Sequence, residues 1–114
     1  MAMTSPTHDV SAAAALFHSL SDPSRLRILQ RLAESEARVT DLTAELGLAQ
    51  STVSKHLACL RDCRLIDSRT EGRQSFYRLE HPEVIDLFEA AETLLEQTGH
   101  AVALCPNYGA EAAS

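Results

Sequence analysis

Three cysteines are the residues of this 114-residue chain whose type and spacing best suit chemistry. Cys59 and Cys63 are four residues apart, and Cys105 lies near the carboxyl end. Side chains four residues apart on a helix are neighbours, about 5–6 Å between Cβ atoms, so two sulfurs can bind one ion. Thiolates form a soft site that suits large, polarisable cations. The alternative is that Cys59 and Cys63 are small buried residues, as free cysteines often are.

The stretch 50–63 around these two cysteines has the pattern of an amphipathic helix. One side is apolar and predicts a core face: Val53, Leu57 and Leu60. Another side carries short or hydrogen-bonding side chains that allow close approach to a DNA groove: Ser51, Ser54, Lys55 and Ala58. The two cysteines share a flank with Thr52, away from the core face. One helix is therefore predicted to combine a core face, a DNA face and a pair of thiols.

The segments before this stretch predict three more helices. Apolar spacing indicates a first helix from Asp9, and Asp22-Pro23 is a typical start for a second. A short third helix is predicted with Thr40 as its N-cap and Gly47 in the turn that follows. A short helix, a glycine-containing turn and a second helix make a helix-turn-helix.

The pattern changes after Cys63. Two short runs rich in β-branched and aromatic residues, 65–69 and 74–79, flank a turn over 70–73 and predict a two-stranded hairpin. His81-Pro82 opens a last helix that ends at Gly99 or just after it. The predicted fold class is mainly α with a small β-hairpin, a winged helix-turn-helix. We expect a flexible arm over 1–8, one domain over 9–98 and a tail over 99–114.

The first and last predicted helices each have an apolar face that so small a core cannot cover. The simplest solution is a symmetric homodimer through those two helices, which also suits a palindromic operator.

Charge and composition favour a nucleic-acid partner for one face only. The net charge is −6, yet residues 50–78 carry six Lys or Arg against three acids, and no Lys or Arg follows Arg78. Such asymmetry can direct one face toward phosphates. The apolar run around 12–17 is too short to span a bilayer. We expect a cytoplasmic protein with reduced thiols and no membrane partner.

Four ordered blocks resemble one family of regulators: residues 22–29, 42–48, 51–57 and 71–73. They closely resemble the ArsR/SmtB family, dimeric winged-helix repressors of bacteria that metal ions release from DNA. The resemblance implies three helices, a recognition helix, a hairpin and a final helix, with the dimer through the first and last helices. It also implies a set of residues for the major groove: Gln50, Ser51, Thr52, Ser54, Lys55 and His56. Arg73 would contact the minor groove or the DNA backbone.

The family places its metal sites in several locations, and the chain departs from two of them. Arg38 and Thr40 stand where one class of site has cysteines, and the last helix has no histidine within its body. The cadmium- and lead-sensing branch does match, and it implies Cys59, Cys63 and Cys105 as metal ligands. The implied effector is Cd(II) or Pb(II). Zn(II) would need a fourth ligand, and arsenite also accepts three thiolates.

The resemblance implies a repressor whose metal-free dimer binds double-stranded operator DNA and is released when the thiolates bind metal. A redox-sensing repressor that uses the same cysteines is the nearest alternative, although a disulfide within one helical turn is strained. A winged helix that binds only proteins is another. An enzyme is not expected, because no nucleophile is paired with a base and no phosphate-binding glycine loop is present.

Overall fold

The helices and strands of this computed structural model follow the predicted order, and the structure describes residues 8–105. Their bounds are α1 Ser11–Leu20, α2 Pro23–Glu34, α3 Val39–Leu46, α4 Gln50–Asp62, β1 Ile66–Glu71, β2 Gln74–Leu79 and α5 Glu83–Gln97. The winged helix-turn-helix fold class is confirmed. Most of the predicted arm and tail, residues 1–7 and 106–114, lies outside the described residues.

The core is formed where α2, α3 and α4 meet the first strand. The side chains of seven residues are almost completely buried: Ile28, Leu29, Leu42, Val53, Leu57, Leu60 and Ile66. Val53, Leu57 and Leu60 are the three residues that the helical pattern assigned to the core face of α4, so that face is confirmed. From α5, Val84 and Phe88 join the same core. α4 is thereby fixed on its inner side and exposed on its outer side.

The wing is an antiparallel hairpin in which Ile66 pairs with Leu79 and Glu71 pairs with Gln74. The turn is two residues, Gly72 and Arg73, and Gly72 has a φ of +64° that favours glycine. The prediction that 70–73 form the turn was wrong for Thr70 and Glu71, which continue the first strand. A backbone bridge between Ala37 and Tyr77 joins the wing to the segment before α3.

The N-cap of α3 is Arg38, so the prediction of Thr40 was wrong. The reason is local: the carboxylate of Asp41 accepts the backbone N–H of Arg38 at 2.9 Å and pairs with its guanidinium at 3.0 Å. That pairing starts the helix two residues earlier.

The other helix ends differ slightly from the predicted bounds. α1 begins at Ser11, where the Asp9 carboxylate accepts the backbone N–H. The last helix begins at Glu83 and ends at Gln97, two residues before Gly99.

Candidate DNA-binding face and thiol site

The outer face of α4 presents the polar side chains predicted for DNA contact. Gln50, Ser51, Ser54 and Lys55 are exposed, and Thr52 is half-buried. Because the opposite side of the helix is anchored by buried Val53, the exposed side chains are displayed on a fixed backbone. Small side chains around one cation let a helix approach the floor of a groove.

The first helix of the helix-turn-helix, α3, is fixed at its end by the backbone geometry of Gly47 and at its start by one ion pair. Gly47 has a φ of +68°, a conformation that favours glycine, and its N–H donates to the Thr43 carbonyl at 3.0 Å. The Arg38 guanidinium beside Asp41 lowers the pKa of that carboxyl to about 2. Gly47 thus ends α3 at the turn to α4, and the Arg38–Asp41 pair stabilises the start of α3.

His56 is directed toward the fold. Its side chain is 16% exposed, and its Nε2 lies 3.6 Å from the Asp22 carboxylate. Asp22 is the N-cap of α2 and accepts the backbone N–H of Arg25 at 3.0 Å. That hydrogen bond, with the nearby His56 and Arg25, lowers the pKa of Asp22. His56 therefore braces α4 against the start of α2, and its contact with DNA stays a prediction.

Arg73 is exposed at the tip of the wing and makes no ion pair with the described part of the chain. The strands behind it are stiffened by Arg69, which binds the Glu36 carboxylate at 2.9 Å and lies 4.7 Å above the Phe76 ring. Arg73 also lines a shallow groove of about 270 Å³ with Arg38 at the start of α3. The tip thus holds a cation that is available to a phosphate.

Cys59 and Cys63 stand one turn apart at the carboxyl end of α4. Cys59 is half-buried and Cys63 is exposed, so neither is a fully buried core residue. The Sγ of Cys63 lies 3.1 Å from the hydroxyl of Ser19 in α1, and Ser19 is only 3% exposed. One thiol of the pair is therefore in contact with the first helix.

The end of α4 is closed by a strained residue next to Cys63. The N–H of Leu65 donates to the Leu60 carbonyl, and the N–H of Arg64 donates to the Arg61 carbonyl. This pattern is a Schellman motif, which places its closing residue in the left-handed region. Arg64 occupies that position with a φ of +62°, where glycine is usual.

Cys105 lies elsewhere, against α5. It is 6% exposed, and its thiol is 3.9 Å from the Ile85 carbonyl. Burial and a hydrogen bond with Glu92 raise the pKa of the Cys105 thiol to about 11. Desolvation favours neutral Glu92, but the backbone N–H groups of Cys105 and Leu104 outweigh it and lower the pKa of that carboxyl. Within one protomer, residues 8–105 contain no cluster of three or more His, Cys, Asp or Glu side chains able to hold a metal ion.

Comparison with known proteins gives a family and two informative relatives. Residues 22–68 match the family model described as bacterial regulatory protein, arsR family. The chain is 34% identical over 92 residues to a probable mercury resistance operon repressor of Streptomyces lividans, covering 81% of this chain and 74% of that one. The chain belongs to the ArsR family. Its members are DNA-binding transcriptional regulators, so the expectation that the chain is not an enzyme is confirmed.

A second ArsR-family relative is the regulator CmtR of Mycobacterium tuberculosis, 48% identical over 69 residues that span 60% of this chain and 58% of CmtR. Among solved structures, a homodimeric winged helix-turn-helix DNA-binding domain from Mycobacterium bovis superposes with a TM-score of 0.70. It is 25% identical and covers 83% of this chain and 92% of that domain.

No helix within residues 8–105 is long and apolar enough to cross a membrane.

Two residues that contact the cysteines, Ser19 and Glu92, were not predicted from the sequence, and neither was the left-handed backbone conformation of Arg64. Ser19 and Glu92 look like ordinary polar residues of helices, because their partners are distant in sequence. Arg64 gave one signal that could have been read: it directly follows an amphipathic helix at the position where glycine is common.

Proposed function

We propose that this chain is a metal-responsive transcriptional repressor, which binds operator DNA as a homodimer and is released when cysteine thiolates bind a soft metal ion. The observation that carries the proposal is the division of α4. Its first half presents exposed Ser51, Ser54 and Lys55, its last turn carries Cys59, and Cys63 is its C-cap. A ligand held at one end of this helix acts on the same rigid element that reads DNA. As a regulator of bacterial DNA it would work in the cytoplasm.

The DNA-binding face consists of the exposed side of α4 and the tip of the wing. Gln50, Ser51, Thr52, Ser54 and Lys55 would read the major groove, where base edges present distinct donor and acceptor patterns. Arg73, whose guanidinium makes no ion pair within residues 8–105, would bind a phosphate or the minor groove. His56 would act by bracing α4 through Asp22, at 3.6 Å, or by contact with DNA.

The homodimer is supported by apolar side chains that the protomer leaves uncovered. On α1, Phe17 is 58% exposed, and on α5, Leu94 is 64% exposed. A large, mostly exposed apolar side chain on each of the two helices predicted to form the dimer is compatible with an interface there. A second copy of the chain would bury them and place two recognition helices for successive half-sites of an operator.

The metal preference follows from the donor set. Cys59 and Cys63 are on one helical turn, and sulfur ligands favour soft ions over Mg(II) or Ca(II). Cd(II) and Pb(II) are the effectors that we favour. Zn(II) would need a fourth ligand. Arsenite is a further candidate, and so is the mercury ion that the name of one relative implies.

Cys105 would be the third ligand. Since it packs on α5 in the protomer, a complete site needs either movement of its own tail or the partner's Cys105. In both cases, binding at Cys63 would replace its contact with Ser19 and so shift the end of α4. Useful release requires that the thiol site bind metal more tightly in the DNA-free protein, by about 1–3 kcal/mol or more.

The proposal is tested by measuring operator binding with fluorescence anisotropy while soft ions are added. The operator fragment is selected from random-sequence DNA by the metal-free protein. We expect Cd(II) or Pb(II) to release the fragment and to produce an ultraviolet thiolate-to-metal band. Cys59→Ser or Cys63→Ser should abolish both the release and the band. Release by peroxide but by none of the ions would favour the redox alternative, and no binding to any fragment at low salt would contradict the repressor function.

A further inference from the structure

The segment after α5 is held on that helix by one carboxylate. Oε2 of Glu92 accepts the backbone N–H of Leu104 and the backbone N–H of Cys105, the latter at 2.8 Å. From the other side, Nε2 of Gln30 in α2 donates to the carbonyl of Leu104 at 3.5 Å. The residues 101–105 have no helix or strand of their own, so these contacts fix their position.

The hydrogen bonds that Glu92 makes to this segment are strong. Hydrogen bonds to a charged acceptor are roughly twice as strong as neutral ones, and Glu92 is itself half-buried. The same arrangement places the thiol of Cys105 under the surface, near the Ile85 carbonyl. A thiol in that position is withheld both from solvent and from Cys59 and Cys63.

We propose that Glu92 is a positioning residue for Cys105, a clasp that binds the tail in the metal-free protein and that must open before Cys105 can act as a ligand. This inference rests on the proposed function, because it assigns Cys105 to the metal site. The clasp and the ion compete for the same segment: the tail is either held on α5 by Glu92 or released to Cys59 and Cys63. Glu92 thereby sets the metal concentration at which the repressor responds.

Because Glu92 competes with the metal ion for the tail, substituting Glu92 should change metal affinity in the opposite direction to substituting a ligand. Removing a ligand weakens metal binding, whereas removing a competing clasp strengthens it. Glu92→Ala deletes the acceptor, and Glu92→Gln retains an oxygen acceptor without the charge. Glu96→Ala is the matched control, since Glu96 is an exposed carboxylate one turn further along α5.

The clasp itself is tested without metal on the full-length protein. Amide hydrogen exchange of Leu104 and Cys105 is measured by NMR, and alkylation of each cysteine by iodoacetamide is followed by mass spectrometry. Trypsin separates the three cysteines, because Lys55, Arg61, Arg64 and Arg78 divide them into different peptides. We expect Glu92→Ala to speed both processes at Cys105 about tenfold, Glu92→Gln to fall between it and the parent, and Glu96→Ala to match the parent. Unchanged exchange and alkylation in Glu92→Ala would overturn the clasp.

The competition is tested with Cd(II) alone, against a chelator of known affinity. We expect Glu92→Ala to bind Cd(II) about tenfold more tightly than the parent, a gain of about 1.4 kcal/mol, and Glu96→Ala to bind it as the parent does. Weaker or equal binding by Glu92→Ala, with its tail released, would overturn the competition. A parent protein that forms no Cd(II)–thiolate band would instead contradict the proposed function, whatever the exchange rates show.

Discussion

The hydroxyl of Ser19 and the thiol of Cys63 lie 3.1 Å apart and join α1 to the end of α4. Ser19 also donates to the Ala15 carbonyl one turn earlier, so its position is fixed by its own helix. Arg25 binds the Ser19 carbonyl at 2.6 Å and ties the same turn to α2. The exposed thiol of the cysteine pair is therefore attached to the helix on which the proposed dimer depends.

Ser19→Ala removes this link while leaving the thiol in place. We expect the free energy of unfolding to fall by about 1 kcal/mol, the usual net value of one hydrogen bond, in chemical denaturation. Cadmium binding should be retained or slightly tighter, because Cys63 no longer has an internal partner in the metal-free protein.

Ser54→Ala is the control for this substitution, since Ser54 is exposed on the DNA face and should change stability by less than about 0.5 kcal/mol. Loss of cadmium binding in Ser19→Ala, to the extent seen in Cys63→Ser, would show that Ser19 belongs to the binding site itself.

Arg64 is a site where stability can be gained. It adopts a φ of +62°, which costs a side-chain-bearing residue roughly 1 kcal/mol relative to glycine. We expect Arg64→Gly to raise the melting temperature and to raise the free energy of unfolding by up to about 1 kcal/mol, less the larger chain entropy that glycine adds to the unfolded state. Arg64→Ala removes the same charge but keeps the Cβ, so it should give no gain; equal gains from both variants would assign the effect to charge.

The fold was predictable from sequence because its signals are local. Gly47, Asp22-Pro23 and the apolar period of α4 each act within a few residues, and each prediction from them was confirmed. The predicted N-cap of α3, Thr40, was wrong because the carboxylate of Asp41 accepts the backbone N–H of Arg38, three residues before it, and the helix begins there. The contacts of Ser19 with Cys63 and of Glu92 with Cys105 join distant parts of the chain, and no periodicity encodes them. The orientation of His56 toward Asp22 was missed for the same reason.

The cations of the DNA face should act mainly through phosphates or groove edges. We expect Lys55→Ala and Arg73→Ala each to weaken operator binding about tenfold at low salt. Each lost phosphate contact should also reduce the slope of log K against log salt by about 0.9. Arg78→Ala is the control, because Arg78 is paired with Asp67 at the base of the wing. If Arg78→Ala lost as much operator affinity as Arg73→Ala, the tip of the wing would have no special role in DNA binding.

His56 and Asp22 should behave as a unit. A double-mutant cycle of His56→Ala and Asp22→Ala should give a coupling of about 0.2–1 kcal/mol in unfolding free energy. Asp22→Ala should cost about 1 kcal/mol more by loss of the N-cap. If His56 braces α4, the two substitutions are also non-additive in operator affinity; full additivity there would favour direct contact of His56 with DNA.

Asp41 gives the domain a defined acid response. Its pKa is about 2 in the folded chain against an ordinary 3.8, because the Arg38 guanidinium and backbone N–H favour the charged carboxylate. The stabilisation is therefore complete above about pH 4 and is lost as the pH falls toward 2. We expect Asp41→Asn to be less stable at neutral pH and to show a flatter acid transition in circular dichroism. The exposed Asp62→Asn should retain the transition of the parent, and an identical transition in Asp41→Asn would contradict the assignment.

The central claim is that metal and operator compete through α4, and the measurement that tests it most directly is the Cd(II) affinity of the dimer with and without bound operator. Binding linkage requires that DNA weaken metal binding by the same factor as metal weakens DNA binding. We expect a factor of at least about five in the parent protein, and no Cd(II)–thiolate band in Cys63→Ser with or without operator. Equal Cd(II) affinity in the free and operator-bound parent, or tighter binding on DNA, would contradict the account.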